Sequence, residues 1–150
     1  MKNSIKMSVF AAVIGVASIV SAKEFTGYWT TIDDETKDKK SVVQITEKDG
    51  VYSGKVVHLF KDPNAVAKLP GSPKILGLQI IHDMKRGGKG LNDGKITDPK
   101  KGKTYSCEIW RSGENLIVRG KIAFLGRNQT WLPCKDGSKY TTKNQHSAIP

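Results

Sequence analysis

The sequence predicts an all-β chain folded as an eight-stranded antiparallel up-and-down barrel, and three observations carry that expectation. After residue 24 the apolar residues come in short runs, mostly β-branched or aromatic. The breaks between runs are short and rich in Gly, Asp, Asn and Lys, residues that accept the backbone angles of tight turns. No stretch beyond the N-terminal apolar run keeps a 3.6-residue apolar period past two turns. Closing such a meander removes the exposed strand edges, and eight strands leave room inside for one small ligand.

In chain order, the first segment reads as a leader. Lys2 and Lys6 precede an apolar run from Met7 to Val20, and Val20-Ser21-Ala22 puts small residues just before Lys23. That order is the secretory pattern, and the run is too short for a comfortable transmembrane helix. No Cys follows it, so a lipid-attachment site is not expected. Residues 1–22 are thus expected to be a signal peptide, 23–134 the barrel and 135–150 a polar, loosely attached C-terminal tail. The mature protein is expected to be periplasmic or secreted, with no membrane span. A chain of 150 residues is the size of one domain. Its formal charge of +11 falls to +9 once Lys2 and Lys6 are removed.

The expected strands are Phe25–Ile32, Ser41–Glu47, Val51–Phe60, Ile75–Met84, Leu91–Thr97, Lys103–Arg111, Asn115–Leu125 and Asn128–Leu132. Lys48-Asp49-Gly50, Arg86 to Gly90, Asp98 to Gly102 and Ser112-Gly113-Glu114 supply turns between them. Lys61–Lys74 contains Pro63, Pro70, Gly71 and Pro73, which makes it a loop long enough to cover one end of the barrel.

Period-2 alternation orients several strands. In Asn115–Leu125 the charged Arg119 and Lys121 mark the wet face, so Leu116, Val118, Ile122 and Phe124 point inward. A short turn at Ser112–Glu114 pairs Ile109 with Val118 and Tyr105 with Ile122, placing Tyr105 and Ile109 inside. In Val51–Phe60, Lys55 marks the wet face and sends Tyr52, Val56, His58 and Phe60 inward, although Val57 and Leu59 break the pattern. Ser41–Glu47 and Ile75–Met84 are apolar on both faces, which leaves their orientation open; Ile80 and His82 are taken as interior candidates. The candidate ligand-binding set is therefore Tyr52, Val56, His58, Phe60, Ile80, His82, Tyr105, Ile109, Val118, Ile122 and Phe124.

Chemistry-bearing constellations are scarce. His58, His82 and His146 have no metal-ligand spacing on one element, and neither a Gly-x-Ser-x-Gly elbow nor a His-Glu-x-x-His occurs. Asp33-Asp34-Glu35 reads as solvated loop charge. No enzymatic activity, cofactor or metal is expected. The Lys clusters at 37–40, 85–86 and 100–101 fall on turns, dispersed and not interleaved with aromatics. Nucleic acid is therefore not an expected partner; the lysines read first as solvated loop charge, with contact with an anionic surface as the alternative.

Gly27-Tyr28-Trp29 places a Gly-x-Trp at the start of the first strand. It is joined by Val42-Val43-Gln44-Ile45, Tyr52 to Val57, Gly94 to Pro99, Gly102 to Cys107, Val118-Arg119-Gly120 and Leu125 to Trp131. Together these resemble an uncharacterised family of small exported bacterial proteins, domain of unknown function 2147, over roughly residues 25–132. The resemblance implies a lipocalin-like (calycin) barrel, in which Gly27 and Trp29 mark the closed base and a basic residue stacks over the Trp. The chain departs from the family pattern twice. Ala65 to Pro70 holds no cysteine, and Leu132-Pro133 follows Trp131 where a basic residue is common; Arg119 is the expected base cation instead.

The expected function is an exported carrier of one small apolar or amphipathic molecule inside the barrel, acting as a monomer or weak dimer. The alternative is an envelope protein whose basic outside binds an anionic surface or partner while its interior is merely packed. Cys107 and Cys134 permit one bridge. An expected two-residue turn at Gly126-Arg127 sets Leu125 opposite Asn128 and hence Cys134 opposite Arg119 on the outer face, while the Ser112–Glu114 turn sets Cys107 opposite Gly120 on the inner. Two strands apart is roughly 9–10 Å, against the ~7 Å a bridge spans, so free thiols are favoured. A turn of the chain at Pro133 is the alternative that would bring the two sulfurs together.

Overall fold

The computed structural model describes residues 24–141; the expected leader, His146 and the rest of the tail lie outside them. Eight strands form: β1 (Gly27–Ile32), β2 (Lys39–Lys48), β3 (Val51–Leu59), β4 (Gln79–Gly87), β5 (Gly90–Asp98), β6 (Lys103–Ser112), β7 (Asn115–Ile122) and β8 (Leu125–Pro133). Each pairs antiparallel with the next, and β8 returns to β1 through Trp29–Pro133 and Thr30–Leu132, closing the barrel. The chain is a closed eight-stranded up-and-down barrel, as its strand count and turn spacing implied.

Up-and-down order divides the connections between two ends. The β2–β3, β4–β5 and β6–β7 turns share the end where β1 starts and β8 finishes, which is the base. The β1–β2, β3–β4, β5–β6 and β7–β8 connections share the other. Asp49 and Gly50, both at positive φ (53° and 81°), make the β2–β3 turn with the mirror-image geometry that suits the twist of a hairpin. The long β3–β4 connection folds across the open end as expected. Ala67 N–H donates to Pro73 O, Ile75 N–H to Ala65 O, and Lys68 N–H to Pro99 O, which ties the loop to the β5–β6 turn.

Four expectations are corrected. Phe25 is not in β1 but below it, fully buried. β4 starts at Gln79, because Ile75 belongs to the loop that closes over the barrel. The β7–β8 turn is Ala123-Phe124 and not Gly126-Arg127: Ile122 pairs with Leu125, Arg119 with Asn128 and Leu116 with Trp131. That register buries the Trp131 indole at 2% exposure, whereas Gly126 serves as the flat place over which the Arg119 guanidinium packs. Finally, the tail is docked as far as Thr141. Cys134 N–H donates to Tyr28 O, Tyr28 Oη lies 2.7 Å from Thr141 Oγ1, and Tyr140 stacks on His58 at 4.1 Å between ring centroids.

Both cysteines are free. Cys107 faces Gly120 as the β6–β7 register predicted. Cys134, however, lies beyond β8 and beside β1, its Sγ donating to Asp136 Oδ1, so it does not sit opposite Arg119. Burial pushes the Cys107 thiol from its ordinary 9.0 up to about 12, with the Glu108 carboxylate adding to the effect. The unfolded chain therefore ionises this thiol first, so its contribution to stability is complete below pH ~9 and is lost as pH rises toward 12. Unfolded, unreduced protein should titrate two thiols. Folded protein near pH 8 should alkylate rapidly at Cys134 only, and a rapid reaction at Cys107 would contradict its burial.

Candidate ligand-binding cavity

The base is sealed from below. Phe25 fills the barrel axis, packing edge-on to Tyr52 (6.2 Å between centroids, 86°). Trp29, on β1, donates from Nε1 to Phe25 O at 3.0 Å. The cation over Trp29 is Arg111, with Cζ 5.4 Å from the ring centroid; its Nη1 donates to Glu24 O (2.9 Å), and its Nε and Nη2 donate to Gly113 O. Arg86 covers Phe25 in the same way at 5.4 Å and pairs with Glu24 at 3.0 Å. Gly27 begins β1 at φ 122°, a conformation that favours glycine, and turns the chain from the Phe25 plug into the strand.

Arg119 is not the base cation. Val118 faces inward, so alternation sends Arg119 to the outer wall, opposite Glu108 and Asn128. Arg111 belongs to the end of β6, beside the start of β7, where the meander returns to the base. No motif marks it; the topology alone identifies it.

Above this floor the barrel encloses a cavity of about 600 Å³ that opens at the other end. This is ample for one drug-sized molecule. Its depth is apolar, lined by Val56, Leu59, Ile75, Ile80, Ile96, Val118 and Trp131. Its rim is charged: Lys39, Lys40, Lys61, Lys100, Lys101 and Arg127 stand among Asp33, Asp34, Asp62 and Asp98. A polar chain runs between the two zones. Trp131 Nε1 donates to Gln129 Oε1 (3.4 Å), Gln129 Nε2 to Asp34 Oδ2 (3.3 Å), and Arg127 pairs with the same oxygen at 2.6 Å. The other acids cap their own turns. Asp33 accepts from Thr36 and Glu35 N–H, which holds its carboxyl below the ordinary range. Asp62 accepts from Asn64 N–H, and Asp98 from Lys100 and Lys101 N–H.

The expected ligand residues divide three ways. Val56, Ile80, Tyr105, Val118 and Ile122 line the cavity, Ile122 at its rim and 62% exposed. Tyr52 and Ile109 are inside but buried in the packed core and do not line the cavity. His58, Phe60, His82 and Phe124 are not interior. β3 carries a bulge at Val57, since Val42 pairs with His58 while Val43 pairs with Val56. The extra residue inverts the alternation, turning Leu59 inward and His58 outward against Tyr140. Phe60 lies beyond the strand, edge-on to His58. Val57 and Leu59, which broke the sequence pattern, were the trace of this bulge. Ile81 faces the cavity-lining Ile96, so His82 points out, where Nε2 lies 2.9 Å from Thr97 Oγ1. Phe124 is the second residue of the β7–β8 turn and is 87% exposed. Leu59, Ile75, Ile96, Gln129 and Trp131 are among the lining residues that alternation did not assign. Among the described residues no three His, Cys, Asp or Glu side chains converge as a metal site, and no helix is long and apolar enough to cross a membrane.

Residues 27–132 match the sequence pattern of a family described as an uncharacterized protein conserved in bacteria, DUF2147. No curated protein matches the sequence. Among solved structures the chain is similar to protein HP1028 from the human pathogen Helicobacter pylori, described as belonging to the lipocalin family. The two share 18% identity over 79% of this chain and 88% of that one, with a TM-score of 0.62. At that identity the likeness concerns the fold.

Proposed function

This chain belongs to the uncharacterised bacterial family DUF2147, and from that premise we propose that it is an exported protein that binds one small apolar or amphipathic molecule inside its barrel. The observation that carries this reading is the cavity of about 600 Å³, apolar in its depth, charged at its rim and sealed at its base. The competing reading, a packed barrel acting only through its basic outside, requires a filled interior. An apolar tail would gain by burial against Val56, Ile80, Ile96 and Val118, at ~25 cal/mol per Å² of surface removed from water. A polar end would meet the rim, where Lys100 and Lys101 stand with Arg127 and Gln129.

The protein acts by binding and not by catalysis in this reading. Asp33, Asp62 and Asp98 accept from turn N–H groups and Asp34 pairs with Arg127, so the rim carboxyls already serve the turns and the rim itself. Native mass spectrometry of freshly purified protein, as a monomer or weak dimer, tests both halves of the proposal. The polypeptide mass should correspond to a chain beginning at Lys23, and a second series should carry the added mass of a ligand that denaturation releases. An intact residue 1–22 segment on protein recovered outside the cytoplasm would refute cleavage. A protein that arrives empty and, after delipidation, takes up no apolar fluorescent probe would refute the carrier.

A further inference from the structure

The large apolar side chains that the barrel leaves exposed are gathered at one end. Among the described residues they are Phe60, Val66, Ile122, Phe124, Leu125 and Leu132, and all but Leu132 belong to the open end. Three of them make the tip of the β7–β8 hairpin. Ile122 and Leu125 are cross-strand partners at the cavity rim, 62% and 70% exposed, and Phe124 beyond them is 87% exposed. Ala123, at φ 55°, turns the tip in two residues. An apolar tip of this kind gains nothing from the barrel's own core, and such clusters mark contact surfaces.

The charge around the tip narrows what it contacts. Lys40, Lys100 and Lys101 share the rim with Ile122 and Leu125 and stand outside the five ion pairs of the described residues. The rim sets six cations, Lys39, Lys40, Lys61, Lys100, Lys101 and Arg127, against four carboxylates, Asp33, Asp34, Asp62 and Asp98, which leaves it net positive. Aromatic and aliphatic side chains on a narrow tip, with lysines on the same rim, suit an anionic bilayer interface: the apolar groups enter the acyl boundary while the ammonium groups meet lipid headgroups. A protein partner would be better met by a broad flat apolar face than by a two-residue turn.

We propose that the open end docks on an anionic lipid bilayer surface, with the Ile122–Leu125 tip inserted and Lys40, Lys100 and Lys101 on the headgroups, so that the cavity mouth faces the membrane. This stands whether or not the cavity holds a ligand.

Flotation of the full mature protein with phosphatidylethanolamine–phosphatidylglycerol vesicles, against phosphatidylcholine vesicles, tests it. Binding is expected to the anionic vesicles and to weaken with salt. Phe124→Ser should lower the bound fraction about tenfold, as should K100E/K101E, while K48E/K89E on the base turns should leave it unchanged. Phe124 is exposed and lines nothing, so its variant should keep wild-type thermal unfolding and probe uptake, which separates a docking failure from a failure of ligand binding. Equal binding to both vesicle types, no binding to either, wild-type binding by Phe124→Ser, or an equal loss in K48E/K89E would each overturn the proposal. So would binding to native membranes that protease treatment of those membranes abolishes, since that would identify a protein partner.

Discussion

Replacing Trp29 with alanine should destabilise the protein by about 3–5 kcal/mol, the cost of other large core truncations. Trp29 is 4% exposed and occupies the floor between the Phe25 plug and the cavity. Its removal opens a void that the closed ladder cannot collapse into, because β1 is held on both sides by β2 and β8. It also leaves Phe25 O without its indole donor and takes away the ring beneath Arg111. Arg111→Ala should cost less, about 1–2 kcal/mol, for a half-buried cation–π contact and the hydrogen bond to Glu24 O. Chemical denaturation followed by far-UV circular dichroism ranks the two. A near-neutral Trp29→Ala, or an Arg111→Ala that costs more, would mean that the base is held by something other than the Trp plug.

The second large effect is on binding. Val118 is 1% exposed and faces the cavity between Ile109 and Gln129. Val118→Asp puts a carboxylate into apolar surroundings with no partner, at a cost of several kcal/mol or by taking up a proton. Uptake of an apolar fluorescent probe should be abolished. Because that variant is a burden on folding, Val118→Phe provides the companion: it stays apolar, fills part of the cavity, and should retain the fold while weakening uptake. Folded Val118→Asp that still takes up the probe with wild-type affinity would place the probe outside the barrel.

Much of the architecture was legible residue by residue. The number of strands, the base role of Gly27 and Trp29, the Ile109–Val118 pair, the inward Val56 and Tyr105 and the loop over the open end all follow from alternation, turn residues and one motif. These are local quantities. A side chain's face is set by the parity of its neighbours, and a turn by the φ its residues tolerate. The misassigned residues share a different origin. Alternation sends His58 inward because it presumes an unbroken ladder, and one extra residue at Val57 inverts everything after it. Alternation sends Phe124 inward as long as the strand runs on to Gly126-Arg127, the stronger local turn signal, yet the hairpin closes three residues earlier.

From its sequence alone this protein is an eight-stranded barrel with a Trp base and an inner face of the right character, since burial pattern and turn propensity are written within each strand. The tertiary structure decided which cation covers that Trp, where the bulges fall and which hairpin tip is left apolar in water. It did so because the registers of eight strands must close on one another: burying Trp131 opposite Leu116 outweighed the local turn preference of Gly126, and joining the end of β6 to the base brought Arg111, not Arg119, over Trp29.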